Sequence, residues 1–133
     1  MYEGGCLCGA LRFSASAAPV ATGYCHCTLC RRSTGAPVLA WASFPAAAFR
    51  YTKGRAAIYA SSSRGHREFC SACGTQIAFR GSGHAETVDV NLGSVDDPSA
   101  LRPRIHIYFE DRIPWFDTDD ALPRHPRAEP KGA

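Results

Sequence analysis

Seven cysteines gathered in three tight clusters constrain this chain more than any other feature. Cys6 and Cys8 form C-x-C, Cys25, Cys27 and Cys30 form C-x-C-x-x-C, and Cys70 and Cys73 form C-x-x-C-G. Tetrahedral zinc takes four protein ligands at a structural site and three plus an open position at a catalytic one, so seven divides as four plus three. Disulfides are the competing use, but an odd count strands one thiol, and 133 residues suffice for a core without covalent staples. Metal binding is the reading adopted.

Length and a 45% hydrophobic content fit one globular domain, placed at residues 1–122. The opening Met1-Tyr2-Glu3-Gly4-Gly5 has neither a basic nor an apolar leader region, and ligand thiols suit a reducing compartment, so the expectation is a cytoplasmic protein. The longest apolar stretch, Ala36 to Phe49, holds Pro37 and Pro45 and is too short to cross a membrane as a helix. Net charge is +3, and its basic residues lie among acidic ones with no basic run, which argues against a nucleic-acid partner.

Leu11 and Phe13, Ile77 and Phe79, and Val88 and Val90 each flank a polar or small residue, the period of a half-buried strand. Glycines punctuate these runs, and no long helical stripe is present, so the fold class is mostly β with short helical turns. Helical turns are expected at Thr28–Ser33, ended by Gly35, around Pro45 to Phe49, and at Asp97–Leu101 with Asp96 or Asp97 as cap. Residues 123–133, PRHPRAEPKGA, have the composition of a flexible tail.

If Cys6 and Cys8 lie on a strand they face the same side, and Cys70 and Cys73 form a knuckle closed by Gly74, so these four together make a closed thiolate site. Cys70 and Cys73 joining part of the middle cluster is the alternative pairing. Cys25, Cys27 and Cys30 can reach a second ion locally, with the fourth position open or filled by His66, His84 or His106. The requirement is then two zinc ions per chain. Arg31 and Arg32 follow directly and can offset the excess negative charge or bind a substrate carboxylate. His26, between two ligands, points away from the ion if the segment is extended, in a supporting or surface role.

The order G-x-C-x-C-G, C-H-C-x-x-C-R, F-C-x-x-C-G, then H-I-Y-x-x-x-R-x-P-W-F resembles the glutathione-dependent formaldehyde-activating enzyme family, also called the CENP-V/GFA domain. The resemblance runs from Gly4 to about Pro123. It implies an Mss4-like zinc-binding fold of small antiparallel sheets, a structural zinc on Cys6, Cys8, Cys70 and Cys73, and a second zinc on Cys25, Cys27 and Cys30 where the chemistry lies. It also implies a C-terminal strand and turn from His106 to Phe116, in which Trp115 is expected in the core.

The function this resemblance implies is a zinc-dependent carbon–sulfur lyase acting on thiol–aldehyde adducts, with glutathione and formaldehyde as the substrate pair. The open site, Cys25, Cys27 and Cys30, then carries the catalysis, with His26, His106 and Glu68 as candidate proton acceptors. The alternative is a non-enzymatic zinc-stabilised binding or sensor module.

Overall fold

Period-two alternation resolves into two β-sheets in the computed structural model, which describes residues 1–130. The first sheet orders β1 (Tyr2–Gly5), β2 (Arg12–Ala15) and β5 (Phe49–Lys53), paired antiparallel. The second has seven strands in the order β10-β3-β4-β9-β8-β7-β6. These are β3 (Ala21–Cys25), β4 (Leu39–Pro45), β6 (Ala57–Ser62), β7 (Gly65–Phe69), β8 (Gln76–Gly81), β9 (Thr87–Asn91) and β10 (His106–Ile107). All its pairings are antiparallel except β10 with β3. The fold is thus mostly β, as the alternation implies.

Leu11, Phe13, Phe44, Ile77, Val88, Val90 and Leu101 fill the main core. Strand β4 is central because its two faces serve different clusters. Ala42 and Phe44 enter the main core, whereas Leu39 and Trp41 pack with Cys25, Cys30, Ile105 and Tyr108 in a second cluster. The sheet therefore carries the three-cysteine segment on a face already buried by tertiary packing.

Gly4 is required for steric reasons. A Cβ there meets the Ser94 carbonyl oxygen and stands 2.5 Å from Phe13 Cζ, so the first sheet closes against Val95 only with a bare backbone. Gly4→Ala is expected to cost at least about 2 kcal/mol, read as a lower denaturant midpoint for the zinc-loaded protein.

Two helical expectations hold and one does not. α1 spans Thr28–Thr34 and ends at Gly35 with φ 69°, and Ala46–Ala48 forms one 3-10 turn. At Asp97–Leu101 there is a turn instead: Asp97 Oδ1 accepts from the Ser99 amide and hydroxyl, giving the backbone a local alternative to a helix. Short 3-10 turns lie at Leu92–Ser94 and Phe109–Asp111. Trp115 is 76% exposed, not core, because β10 stops at Ile107 and the chain leaves the sheet before reaching it.

The segment expected to be a tail is pinned over its first residues. The His106 amide donates to the Pro123 carbonyl, the His125 amide to the His106 carbonyl, and the Tyr108 amide to the Arg127 carbonyl. These are backbone bonds, which leave no apolar periodicity to read. Residues 131–133 of that segment lie outside the described residues.

Candidate metal centre

Two separate cysteine groups form, divided four and three. Sulfurs of Cys6, Cys8, Cys70 and Cys73 all lie within 4.8 Å of one another, and so do those of Cys25, Cys27 and Cys30. The alternative pairing of Cys70 and Cys73 with the middle cluster is not what the fold makes.

The four-cysteine group is built from two similar knuckles, and Cys6 and Cys8 occupy a turn rather than the strand assumed from their spacing. The Cys6 amide donates to the Leu11 carbonyl and the Cys70 amide to the Thr75 carbonyl, at 3.0 Å each. Gly9 and Gly74 close the two turns at φ 80° and 79°, a conformation that side-chain-bearing residues resist. Leu7 donates from its amide to Thr75 Oγ1, tying one knuckle to the other. Sulfurs around a tetrahedral zinc at about 2.3 Å stand about 3.8 Å apart. Here Cys6 and Cys8 are 3.6 Å apart and Cys8 and Cys70 3.8 Å, so the donor set fits zinc. Hydrogen bonds from the Thr75 side chain and backbone, then from the Cys8 amide, bring the Cys73 thiol down to about 5.

The three-cysteine group sits where β3 runs into α1. Cys25 ends the strand, Cys27 caps the helix by accepting from the Cys30 amide at 3.3 Å, and Cys30 lies in the first turn. A strand end followed by an N-cap and an i+3 position turns all three sulfurs inward without long-range help. Thiol hydrogen bonds from Cys25 and Cys30 hold Cys27 far below the ordinary thiol range, while bonding to Cys27 and Cys30, then burial, pushes Cys25 up. Three such sulfurs cannot all shed their protons against one another, and a dication removes that obstacle. The donor set therefore fits a zinc held by three thiolates.

No histidine joins the three sulfurs within 4.8 Å, nor does any further cysteine or carboxylate, among the described residues. His66 is bound instead to Glu68 at 2.9 Å. Glu68 also accepts from Tyr51 at 2.7 Å and from Arg80 at 2.7 Å. Its alternating neighbour on β7, Arg67, is the residue that approaches Cys30, so Glu68 faces away from the cluster and does not serve it as a base.

His26 is buried, 2% exposed, and does not lie on the surface. Its Nε2 is 2.8 Å from His106 Nδ1, and His106 Nε2 is 3.2 Å from Asp120 Oδ1. Burial, reinforced by the positive charges of Arg112 and Arg124, brings His26 down to about 4. Asp120 is held below the usual carboxylate range by Thr118, then by the Leu122 amide and His106. With Asp120 ionised, His106 Nε2–H donates to it, His106 Nδ1 accepts from His26 Nε2–H, and His26 Nδ1 is left as a buried lone pair without a partner. His106 is fully buried, so His106→Ala is expected to cost about 2–4 kcal/mol, measured by chemical denaturation, through a cavity and two lost hydrogen bonds.

The adjacent arginines part ways. Arg31 reaches toward the Asp111 carbonyl at 3.5 Å, whereas Arg32 lines a groove beside α1. Tyr108, φ 53°, is the one non-glycine with positive φ among the described residues, and it packs on the three-cysteine cluster. Sequence reasoning missed Arg67, whose Nη1 and Nη2 stand 3.9 and 3.8 Å from Cys30 Sγ. Its place on the strand leading to Cys70 was the available signal.

The profile described as glutathione-dependent formaldehyde-activating enzyme matches residues 1–111. The chain belongs to this family. Two curated relatives are similar to this family member. An uncharacterized lyase of Schizosaccharomyces pombe is 36% identical over 80 residues, 59% of this chain and 56% of that protein. A Halomonas elongata protein, provisionally named a glutathione-dependent formaldehyde-activating enzyme, is 27% identical over 128 residues, 90% of this chain and 82% of that one. The chain thus spans little more than half the length of the fission-yeast relative. A crystal structure of a Rhodobacter sphaeroides protein shares the fold, with TM-score 0.60 and 24% identity over 74% of this chain and 94% of that one. No helix among the described residues is long and apolar enough to cross a membrane.

Proposed function

We propose that this family member is a zinc-dependent carbon–sulfur lyase acting on adducts of a thiol with an aldehyde. Its substrate thiol is glutathione and its aldehyde formaldehyde, the pair in the family's name. The observation that carries the reading is the contrast between the two groups. One set of four cysteines can close a tetrahedron, and the other offers three with no fourth His, Cys, Asp or Glu beside it among the described residues.

In this reading Cys6, Cys8, Cys70 and Cys73 hold a structural zinc, and Cys25, Cys27 and Cys30 hold a second. When bound there, zinc makes a substrate thiol acidic enough to be deprotonated at neutral pH. The protein's own residues do the rest. Tyr108, Trp41 and Leu39 exclude water from one side of the cluster, and Arg32 is placed to hold a substrate carboxylate. His26, fixed through His106 to Asp120, orients the loop between Cys25 and Cys27 as a positioning residue.

In the lyase direction the carbon–sulfur bond of the hydroxymethyl thioether breaks and its electrons stay on sulfur. The hydroxyl proton is lost as the carbonyl forms, and one proton returns to the thiol, so the adduct divides into aldehyde and thiol with nothing oxidised. Two-dimensional proton-exchange NMR between the free thiol and its adduct tests this. The zinc-loaded protein is expected to raise the exchange rate above the buffer value in proportion to its concentration, and a rate equal to buffer sinks the reading in favour of a non-enzymatic zinc module.

A further inference from the structure

Glu68 is buried, with its side chain 6% exposed, on the face of β7 opposite Arg67. Three donors converge on its carboxylate: the Tyr51 hydroxyl at 2.7 Å, His66 Nε2 at 2.9 Å and Arg80 Nε at 2.7 Å. His66 and Arg80 are cross-strand partners on β7 and β8, so one carboxylate fixes both side by side. The Phe49 ring, 5.5 Å from the Arg80 guanidinium carbon, supports that group from its face. Each side chain is anchored at one end only. Arg80 gives Glu68 its Nε, while Nη1 and Nη2 make no hydrogen bond among the described residues, and His66 gives Nε2 and keeps Nδ1. Both side chains are about a third exposed, and none of these free nitrogens is buried, so a ligand can reach them.

His66 and Arg80 line a pocket of about 460 Å³ between the β6–β7 turn and the connection from β8 to β9. The rest of its lining is serine, threonine, alanine and glycine, with no carboxylate and no cysteine. Ser63 and Ser82 are exposed there, and their hydroxyls are unpaired among the described residues. A guanidinium fork, an imidazole and hydroxyls, facing no acid, are donors for an oxyanion, and donors from three directions suit the three oxygens of a phosphate better than the two of a carboxylate. The pocket is larger than one phosphate group, so an organic portion has room beside it. No aromatic ring lines it, which suits a small polar alcohol rather than a base that must stack.

We propose that this pocket is a second ligand site, separate from both cysteine clusters, that binds the phosphate group of a monoester of a small polar alcohol between the Arg80 fork, His66 and Ser82. It is independent of the thiol reading above, and either can fail alone.

Titration of the isotope-labelled, zinc-loaded protein with glycerol 3-phosphate, followed through backbone amide NMR, tests it. Saturating shifts are expected at Gly65, His66, Gly81 and Ser82, with Kd below about 1 mM. Inorganic phosphate, which lacks the alcohol, and glycerate, which carries a carboxylate instead of the phosphate, are expected to bind at least about threefold more weakly. Arg80→Met is expected to weaken the ester at least about tenfold, and Ser82→Ala about threefold. Arg80→Met also takes a donor from a buried carboxylate. If circular dichroism shows that variant unfolded, Ser82→Ala decides together with His66→Gln, which keeps a donor for Glu68 and is expected to weaken binding about threefold. Shifts centred on residues 25–34 overturn the proposal, as does a titration that does not saturate by about 10 mM. Equal affinity for inorganic phosphate or for glycerate also overturns it, as does an affinity unchanged in the folded variants.

Discussion

Cys70→Ser is expected to hold one zinc fewer per chain than wild type and to lose most of its tertiary structure at ordinary temperature. The four-cysteine group joins the turn after β1 to the turn before β8, and Cys6 and Cys70 are themselves part of the main core at 9% and 4% exposure. A structural zinc in a small domain carries about 10–16 kcal/mol of apparent binding free energy, against a total stability of about 5–15 kcal/mol for a typical domain. A serine hydroxyl is a poor substitute for thiolate, and the remaining three sulfurs are held in two turns that depend on each other. The three-stranded first sheet has strands only four or five residues long, so pairing alone does not hold it, and its core residues Phe13, Ala15 and Phe49 depend on the seat that the four-cysteine group fixes. Metal analysis and far-ultraviolet circular dichroism check this. Unchanged zinc content with a melting temperature within about 3 °C of wild type overturns it.

Cys27→Ser is expected to do the reverse, keeping the fold and removing the chemistry. Cys25, Cys27 and Cys30 lie within six residues of sequence, so the ion they hold cross-links nothing distant. Cys27 also caps α1, and serine is among the best residues for that position, so the helix retains its start. The variant should lose one zinc and melt within a few degrees of wild type, and its exchange rate between free thiol and adduct should fall at least roughly a hundredfold, to the buffer value. A folded variant that still holds two zinc ions, or one that turns over normally, sinks the assignment of the second site.

The local parts of the site were legible in the sequence because ligand spacing is a short-range property. The C-x-C-x-x-C cluster reads as a three-sulfur site whether or not one knows that Cys25 ends a strand and Cys27 caps a helix. Strand alternation placed Phe13, Ile77, Val88 and Val90 correctly in the core. It misled at Cys6 and Cys8, where C-x-C spacing suits both a strand and a turn, and Gly9 in the left-handed region selects the turn.

What escaped is long-range. His26 and His106 are 80 residues apart, and nothing in either neighbourhood announces the other. Arg67 approaches Cys30 only because β7, 37 residues further along the chain, folds back toward α1. Glu68, titratable and near a cysteine, drew attention that belonged to its neighbour, because one residue along a strand changes the face. The Pro- and Arg-rich composition after Leu122 gave no sign of backbone pairing, since such pairing needs no particular side chains.

The parallel contact between β3 and β10 has a consequence for the order in which the molecule assembles. Only two residues of β10 pair with β3, at His106↔Tyr24 and Ile107↔Cys25, across a loop of about 80 residues. Closing a loop of that length costs about 2 kcal/mol more in chain entropy than closing one of ten residues. Such a short pairing returns little until the sheet that frames it exists. The antiparallel ladder from β6 to β9 joins strands that are consecutive in sequence, so it forms on a cheaper path. The wall of the three-cysteine cluster built by Ile105, Ile107 and Tyr108 is therefore a late arrival in folding, and an ion captured by Cys25, Cys27 and Cys30 beforehand meets open solvent until that wall closes.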